Sequence, residues 1–430
     1  MRADEQDAAS RIRRRAALFD RLCFYIGYAA ICTVVIACVT ELMSMAVVGV
    51  YHGAYARLSR LAPGVAAPET DHRFFSLRNR VIDDARRASG VYAGQPWAEA
   101  FLAETGEVQS HWRQRYEPFR VWGSRVVRGT YINTEAFPTG IWRRTTDACA
   151  GDGKAIRIWA MGASVMESLD NPDFATIPSY LSRALKAAGR CVEVINMSAG
   201  GYVINQQAVL LQDLLKRGFR PDTVVVLGGA NEIGVGVYAP RLPWAHVGVY
   251  DISYQLDHPM RLGAILARSY AFEVVQAAAN RLGLPRAVGA TEEGDQFFVD
   301  LSASGLRQHA AAILDNYEAT IDLMQVLARA YHFDLHVFWQ PFIYVGRPHP
   351  TPFERMLLYH PLFNPDPDEG RVIAAVYEEA ERRARVHGRL FFLGRVFEDV
   401  AEPVYIDGLH VGPRGNEIMA GAIALSLHDR

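Results

Sequence analysis

The chain has no Cys-x-x-Cys pair. Its five cysteines, Cys23, Cys32, Cys38, Cys149 and Cys191, are too scattered to suggest a structural zinc site or a thiol redox motif. It also lacks a strong excess of either charge: 45 Lys and Arg stand against 47 Asp and Glu, a balance that argues against a basic nucleic-acid binder. Half of the residues are hydrophobic, which excludes a disordered polar chain. There is no internal repeat, no low-complexity segment, no Gly-rich phosphate loop and no cluster of residues spaced for a metal. Chemistry is therefore expected from side chains alone, with no cofactor, no metal and no nucleic-acid partner.

What the sequence does have is one long apolar run. Residues 22–40, LCFYIGYAAICTVVIACVT, carry no charge for 19 residues, close to the ~20 a helix needs to cross a bilayer core. Apolar character resumes after Glu41 as far as Tyr51, so a transmembrane helix is assigned to residues 22–50 with its end poorly marked. Arg11, Arg13, Arg14, Arg15 and Arg21 precede the run, whereas the next basic residues after it are Arg57 and Arg60. That bias predicts a cytoplasmic segment 1–21 and a single-pass plasma (inner) membrane protein with the rest periplasmic or otherwise extracytoplasmic. A cleaved signal peptide fits less well, because the run exceeds the usual ~7–15 residues and no small-x-small site follows. A lipoprotein box at Val35-Ile36-Ala37-Cys38 fits less well still, because the residues after Cys38 stay apolar.

Residues 51–150 mix aromatic, Arg and Pro residues without sustained period and read as an irregular lead-in. Sharper punctuation begins in the stretch 151–430. AIRIWAMG (155–162), CVEVIN (191–196), DTVVVLGG (222–229), FDLHVFWQP (333–341) and RLFFLG (389–394) read as strands. Helical patterns fall at 177–188, at 206–218 closed by Gly218, at 371–386 and at 415–427. Strands alternating with helices imply an α/β fold, a five-stranded parallel sheet covered on both faces, of flavodoxin-like type. An insertion at about 235–330 is too long for a structureless loop. Within and beyond it, 269–282 and 309–331 are expected as helices, 237–259 and 341–367 as loops. Cys149 and Cys191 both precede strands expected to be neighbours, so they are a candidate disulfide for an oxidising compartment, provided their Cα atoms approach within ~7 Å.

Ligands of open parallel sheets bind beyond the carboxyl ends of the strands, so residues there carry the functional signal. The first strand ends in Gly162-Ala163-Ser164, a serine at a strand-to-helix turn. The second ends in Asn196-Met197-Ser198-Ala199-Gly200-Gly201, where a glycine can bring an N–H close to a substrate oxygen. After the third comes Gly228-Gly229-Ala230-Asn231-Glu232, whose Asn231 amide could face a developing oxyanion. Before the final helix stands Asp407-Gly408-Leu409-His410, a carboxylate placed to orient an imidazole. Singly, each has a plain structural explanation: a helix cap, a tight turn, an Asx turn, a surface pair. The conjunction, in order and at the proper strand ends, does not. His309, His332, His387 and His428 are expected to be solvated or packed.

These residues resemble the four sequence blocks of the SGNH (GDSL-like) hydrolase family, over roughly residues 155–427. The resemblance implies the flavodoxin-like SGNH fold, with Ser164 as nucleophile and Asp407 and His410 completing the triad. It implies an oxyanion hole made of the backbone N–H of Ser164, that of Gly201 and the side chain of Asn231. Gly200 could stand in for Gly201, but the spacing from Asn196 favours Gly201. The family's Gly-Asp-Ser is Gly-Ala-Ser here, with Ala163 in place of the aspartate.

The implied activity is that of a serine esterase or deacylase working through an acyl-enzyme on O-acyl groups, expected on cell-envelope or secreted glycans. An O-acyltransferase would use the same triad, and a catalytically inactive carbohydrate-binding or assembly component is the non-enzymatic alternative. Expected partners are an acylated glycan or lipid ester and the membrane.

Overall fold

The computed structural model describes residues 31–44, 89–111, 115–149, 155–238, 299–359 and 367–427, with positions 25, 28, 46 and 87 besides. Two units make up the chain, one of Met1–Leu61 with His258–Ala290 and one of Ala62–Asp257 with Thr291–Arg430. In the first, residues 31–44 are helical, and Ile31, Val34, Val35, Ile36, Val39, Leu42 and Met43 are exposed along it. Among the described residues no helix is long and apolar enough to cross a membrane. The remainder of the span expected at 22–50, the helix expected at 269–282 and most of the loop expected at 237–259 lie outside the described residues.

The second unit runs α1 (Ala98–His111), β1 (Arg115–Glu117), β2 (Val121–Gly123), β3 (Thr134–Phe137), β4 (Gly140–Arg143), β5 (Ile156–Gly162), α2 (Ser164–Glu167) and α3 (Ile177–Ala187). It continues with β6 (Val192–Asn196), α4 (Ile204–Lys216), β7 (Thr223–Gly228), α5 (Ala230–Tyr238) and α6 (Ala303–Tyr331). The last elements are β8 (Asp334–Trp339), α7 (Pro352–Tyr359), α8 (Pro367–His387), β9 (Phe391–Phe392) and α9 (Pro413–Ser426).

Five strands, β6-β5-β7-β8-β9, are parallel neighbours, the 2-1-3-4-5 order of flavodoxin-like doubly wound sheets. Every residue of β7 is buried, which requires cover on both faces and accounts for its unbroken Val-Val-Val-Leu run. The helices supply the cover with apolar stripes at helical spacing. Ile177, Leu181 and Leu185 of α3 are fully buried, α3 packs on α9, and α6 packs on both α4 and α8. Caps mark the ends: Thr176 accepts from the Ser179 N–H ahead of α3, and Ser302 from Gly305 N–H ahead of α6.

Among the described residues the sheet has seven strands, the five parallel ones expected and two more. The stretch expected to be irregular supplies α1, the β1–β2 hairpin and the antiparallel pair β3–β4, which adds to the sheet beside β6. Strands of three and four residues are too short to show a two-residue period, which is why they escaped sequence reading. Their attachment depends on distant groups. Arg143, at the end of β4, reaches the carboxylate of Asp173 in a buried ion pair, and Asp173 also accepts from the Asn133 N–H (3.0 Å) and Nδ2 (2.8 Å).

The expected loop at 341–367 contains the helix α7, and the helix expected at 309–331 starts at Ala303, where Ser302 caps it. The RLFFLG strand shrinks to Phe391–Phe392 because it lies at the sheet edge and pairs only with β8. Cys149 and Cys191 form a disulfide with Cα atoms 5.3 Å apart, beside β6 and just ahead of β5.

Candidate active site

Strand β5 ends where β7 and α2 leave no room for a side chain. A Cβ at Gly162 would lie 2.5 Å from the Met166 Cβ and 2.9 Å from the Leu227 carbonyl oxygen, so only glycine fits this crossing. Ala163 is extended and precedes α2, which opens with Ser164. As the first helical residue, Ser164 has a backbone N–H without an intrahelical acceptor.

The opposite wall comes from residues 404–412, folded back on themselves by Ile406 N–H to His410 C=O and Gly412 N–H to Val404 C=O, both 2.8 Å. Inside this turn Asp407 Oδ1 accepts from the N–H groups of Leu409 (2.9 Å) and His410 (2.7 Å). That leaves Oδ2 facing His410 Nδ1 at 2.6 Å, while His410 Nε2 stands 2.8 Å from the Ser164 Oγ. Burial pushes the Asp407 carboxyl up, but the neighbouring imidazole and these hydrogen bonds outweigh it and hold the group down at about 2. An ionised Asp407 keeps the proton on Nδ1 and leaves Nε2 to accept from the serine hydroxyl.

Two networks hold this turn against the serine. Asn171 Nδ2 donates to the carbonyl of Val411, next to His410, and to the Ser168 Oγ; Asn416 Nδ2 donates to the same hydroxyl. Upstream, the buried pair Arg347–Glu354 clamps the approach: Glu354 accepts from the N–H groups of Val404 and Tyr405, and Arg347 donates to the carbonyls of Val400 and Glu402.

The loops after β6 and β7 meet beside α2. Met197 N–H bonds to Ala160 C=O and Ala199 N–H to Gly162 C=O, carrying the chain past the end of β5. Gly200 N–H is committed to Glu167 Oε2 at 2.7 Å, whereas among the described residues no such bond is made by the N–H of Gly201, which has the positive φ of +76° that favours glycine. Of the two glycines weighed from the sequence, Gly200 is thus the one whose N–H is already taken by a carboxylate. Asn231 donates one amide hydrogen to the carbonyl of Tyr202 at 2.9 Å, and its amide carries a second that has no partner among the described residues. Buried Glu232 joins the two loops, accepting from Ile204 N–H (2.6 Å) and Gly229 N–H (2.9 Å).

Ser164, His410 and Asp407 thus form one hydrogen-bonded relay, and the Gly201 and Asn231 loops are fastened to each other and to α2. Missed from the sequence were Glu167, Glu232, Arg347, Glu354 and Trp122. The indole N–H of Trp122 donates to the Gly200 carbonyl at 2.8 Å. A buried carboxylate three residues after a serine looks like any first-turn acid until the fold closes over it. Glu167 is pushed up to about 7 by burial, against the pull of the Gly200 N–H and the Arg143 charge. Among the histidines expected to be packed or solvated, His332 caps α6, His387 pairs with buried Glu318 and His309 is half-buried; His428 lies outside the described residues.

No family model matches the chain, and no curated protein matches it. Solved structures do. An alpha/beta hydrolase enzyme from the metagenome of Lake Arreo, Spain, is 13% identical, with 65% of this chain and 95% of that one covered and a TM-score of 0.31. A member of the lipolytic G-D-S-L family from Veillonella parvula is 12% identical over 64% of this chain and 100% of that one, with a TM-score of 0.32. An acetylxylan esterase from Geobacillus stearothermophilus is 16% identical over 65% of this chain and 96% of that one, with a TM-score of 0.30.

Proposed function

We propose that the chain is a serine esterase of SGNH type that removes O-acyl groups through an acyl-enzyme. The observation that carries the reading is the relay from Asp407 through His410 to Ser164, with its 2.6 Å and 2.8 Å links, set where the parallel strands end. In this reading Ser164 Oγ attacks the ester carbonyl while His410 Nε2 takes the hydroxyl proton. Asp407 holds the ring and stabilises the imidazolium. The carbonyl oxygen, now an oxyanion, is met by the N–H groups of Ser164 and Gly201 and by the Asn231 amide. Collapse of the tetrahedral species expels the alcohol, which takes the proton from His410. Water, deprotonated by the same imidazole, then releases the acid and frees Ser164.

In this reading the acyl group is borne by a glycan of the cell envelope or a secreted polysaccharide, as the resemblance of the sequence blocks implies. The same reading anchors the chain by residues 22–50, with the site on the extracytoplasmic side. Its support is the uncharged run itself and the exposed apolar side chains of the helical residues 31–44.

The test uses the full chain. A fluorophosphonate probe should label Ser164, and a panel of acetylated and longer-acyl esters, with and without sugar acceptors, should release free acid. Absence of labelling on folded protein overturns the reading in favour of a binding component. Acyl transfer to sugar without free acid converts it to an acyltransferase.

A further inference from the structure

Trp122 sits on β2, more than forty residues before Ser164, in a hairpin that the relay does not use. Yet its side chain touches the loop that would supply an oxyanion donor. The indole packs against Ala163, Ala199 and Tyr202, and its Nε1–H donates to the carbonyl oxygen of Gly200 at 2.8 Å. A peptide unit is planar and trans, so the C=O of one residue and the N–H of the next point in opposite directions from one rigid plate. The Gly200 carbonyl belongs to the same plate as the Gly201 N–H. A donor that holds the first therefore sets the direction of the second.

The plate before it is held as well, because the Gly200 N–H donates to Glu167 Oε2 at 2.7 Å. Gly200 is thus gripped at both ends, by the hairpin and by the nucleophile's own helix. Such restraint has work to do here, since Gly201 at φ +76° is a glycine that could otherwise turn its amide away.

The hairpin is firmly seated. Tyr202 Oη donates to the Trp122 carbonyl at 2.5 Å, Gln206 Nε2 donates to the Arg120 carbonyl at 2.7 Å, and Arg120 reaches the Tyr202 hydroxyl at 3.3 Å. Burial pushes the Tyr202 phenol up to about 12, so it remains a donor at any working pH.

We infer that Trp122 is a positioning residue for the oxyanion hole: its indole N–H, by holding the Gly200 carbonyl, aims the Gly201 N–H at the oxyanion. The inference rests on the serine-esterase reading above. It assigns a function to the lead-in region, which would complete the site rather than merely precede it.

The test separates the two levels. Fluorophosphonate labelling of Ser164 in the wild-type chain comes first, and its failure removes the serine-esterase reading itself. With labelling established, Trp122→Phe and the full chain carrying benzothienylalanine at 122 are compared with wild type on p-nitrophenyl acetate. The second replacement keeps the shape of indole but has sulfur in place of the N–H, so packing is preserved even if the phenylalanine variant folds poorly.

Loss of one properly aimed donor costs ~10²–10³ in rate, so a misdirected one is expected to lower kcat by roughly tenfold or more with KM unchanged. Affinity for a boronic acid, which forms a tetrahedral anion on the serine, should fall in step. A rise in KM at unchanged kcat would make Trp122 only a wall of the substrate site, and unchanged kcat and boronate affinity would likewise overturn the inference.

Discussion

His410 Nε2 and Ser164 Oγ, separated by 246 positions in the chain, lie 2.8 Å apart. Neither residue's own element brings them together. The contact depends on side-chain bonds between the segments that flank them, chiefly Asn171 to the Val411 carbonyl and Asn416 to the Ser168 hydroxyl. Such a relay is assembled by the whole unit, and its parts should fail in distinguishable ways.

Asn231 stabilises charge by hydrogen bonding and forms no covalent bond to substrate in the proposed scheme. Asn231→Ala should still be labelled by a fluorophosphonate, slowly, while losing ~10²–10³ in kcat on a good ester with little change in KM. Wild-type turnover in the folded variant would remove Asn231 from the oxyanion hole.

Asp407 is held at about 2, below the ~3.9 of an unfolded aspartate. A depressed carboxyl binds its proton more weakly in the folded chain, so its contribution is fully present above about pH 4 and is lost as the pH falls towards 2. Asp407→Asn should flatten the acid limb of a pH–stability curve in that window, and should lower kcat by ~10⁴ through loss of imidazole orientation. An acid limb identical to wild type would contradict the shift.

Glu167 behaves in the opposite sense. Its carboxyl is raised to about 7 by burial, against ~4.3 unfolded, so the folded chain holds the proton over a range where the unfolded chain has released it. Stability attributable to this group therefore declines as pH rises from about 4.3 to 7 and is level above that. Glu167→Gln should remove the decline, which thermal melts at pH 5, 6, 7 and 8 would detect as a flatter profile.

The Cys149–Cys191 bond closes a loop spanning a sequence separation of 42. Chain-entropy reasoning gives a loop of that size about 4 kcal/mol, with about 2–4 the usual range for removal. Cys149→Ser with Cys191→Ser should lower the unfolding free energy by about that much, measured by denaturant titration without reductant. Five free thiols in the unreduced, denatured wild type, rather than the three of Cys23, Cys32 and Cys38, would remove the bond itself.

Much of the fold was legible because its central strands are unusual sequences. The Thr223–Gly228 run is buried along its whole length, which its Val224–Leu227 core of unbroken aliphatic residues reflects, and Gly218, with φ +90°, marks the end of α4. The relay was legible because its short stretches fall in order at the strand ends, although none of them is decisive alone. Hidden were the parts whose meaning is relational. Trp122 and Glu167 meet at Gly200 from β2 and α2, and nothing within a few residues of either announces it. Arg347 and Glu354 are seven positions apart, yet what they support is the chain at 400–405. Strands β3 and β4 were missed for a related reason, since Arg143 finds its partner thirty residues onward, in Asp173.

The position of β4 has a further consequence. Strand β6 is flanked by β5 on one side, and its other side meets Arg143 of β4 and the N–H of Cys149, which bonds to the Val192 carbonyl at 3.0 Å. A chain trimmed to begin at β5 would bare the free carbonyls and amides of that flank along a short strand, an invitation to strand-to-strand association between copies. The disulfide at Cys149 fastens the cover in place covalently, so a chain lacking the residues before β5 is expected to self-associate through this edge where the whole chain does not.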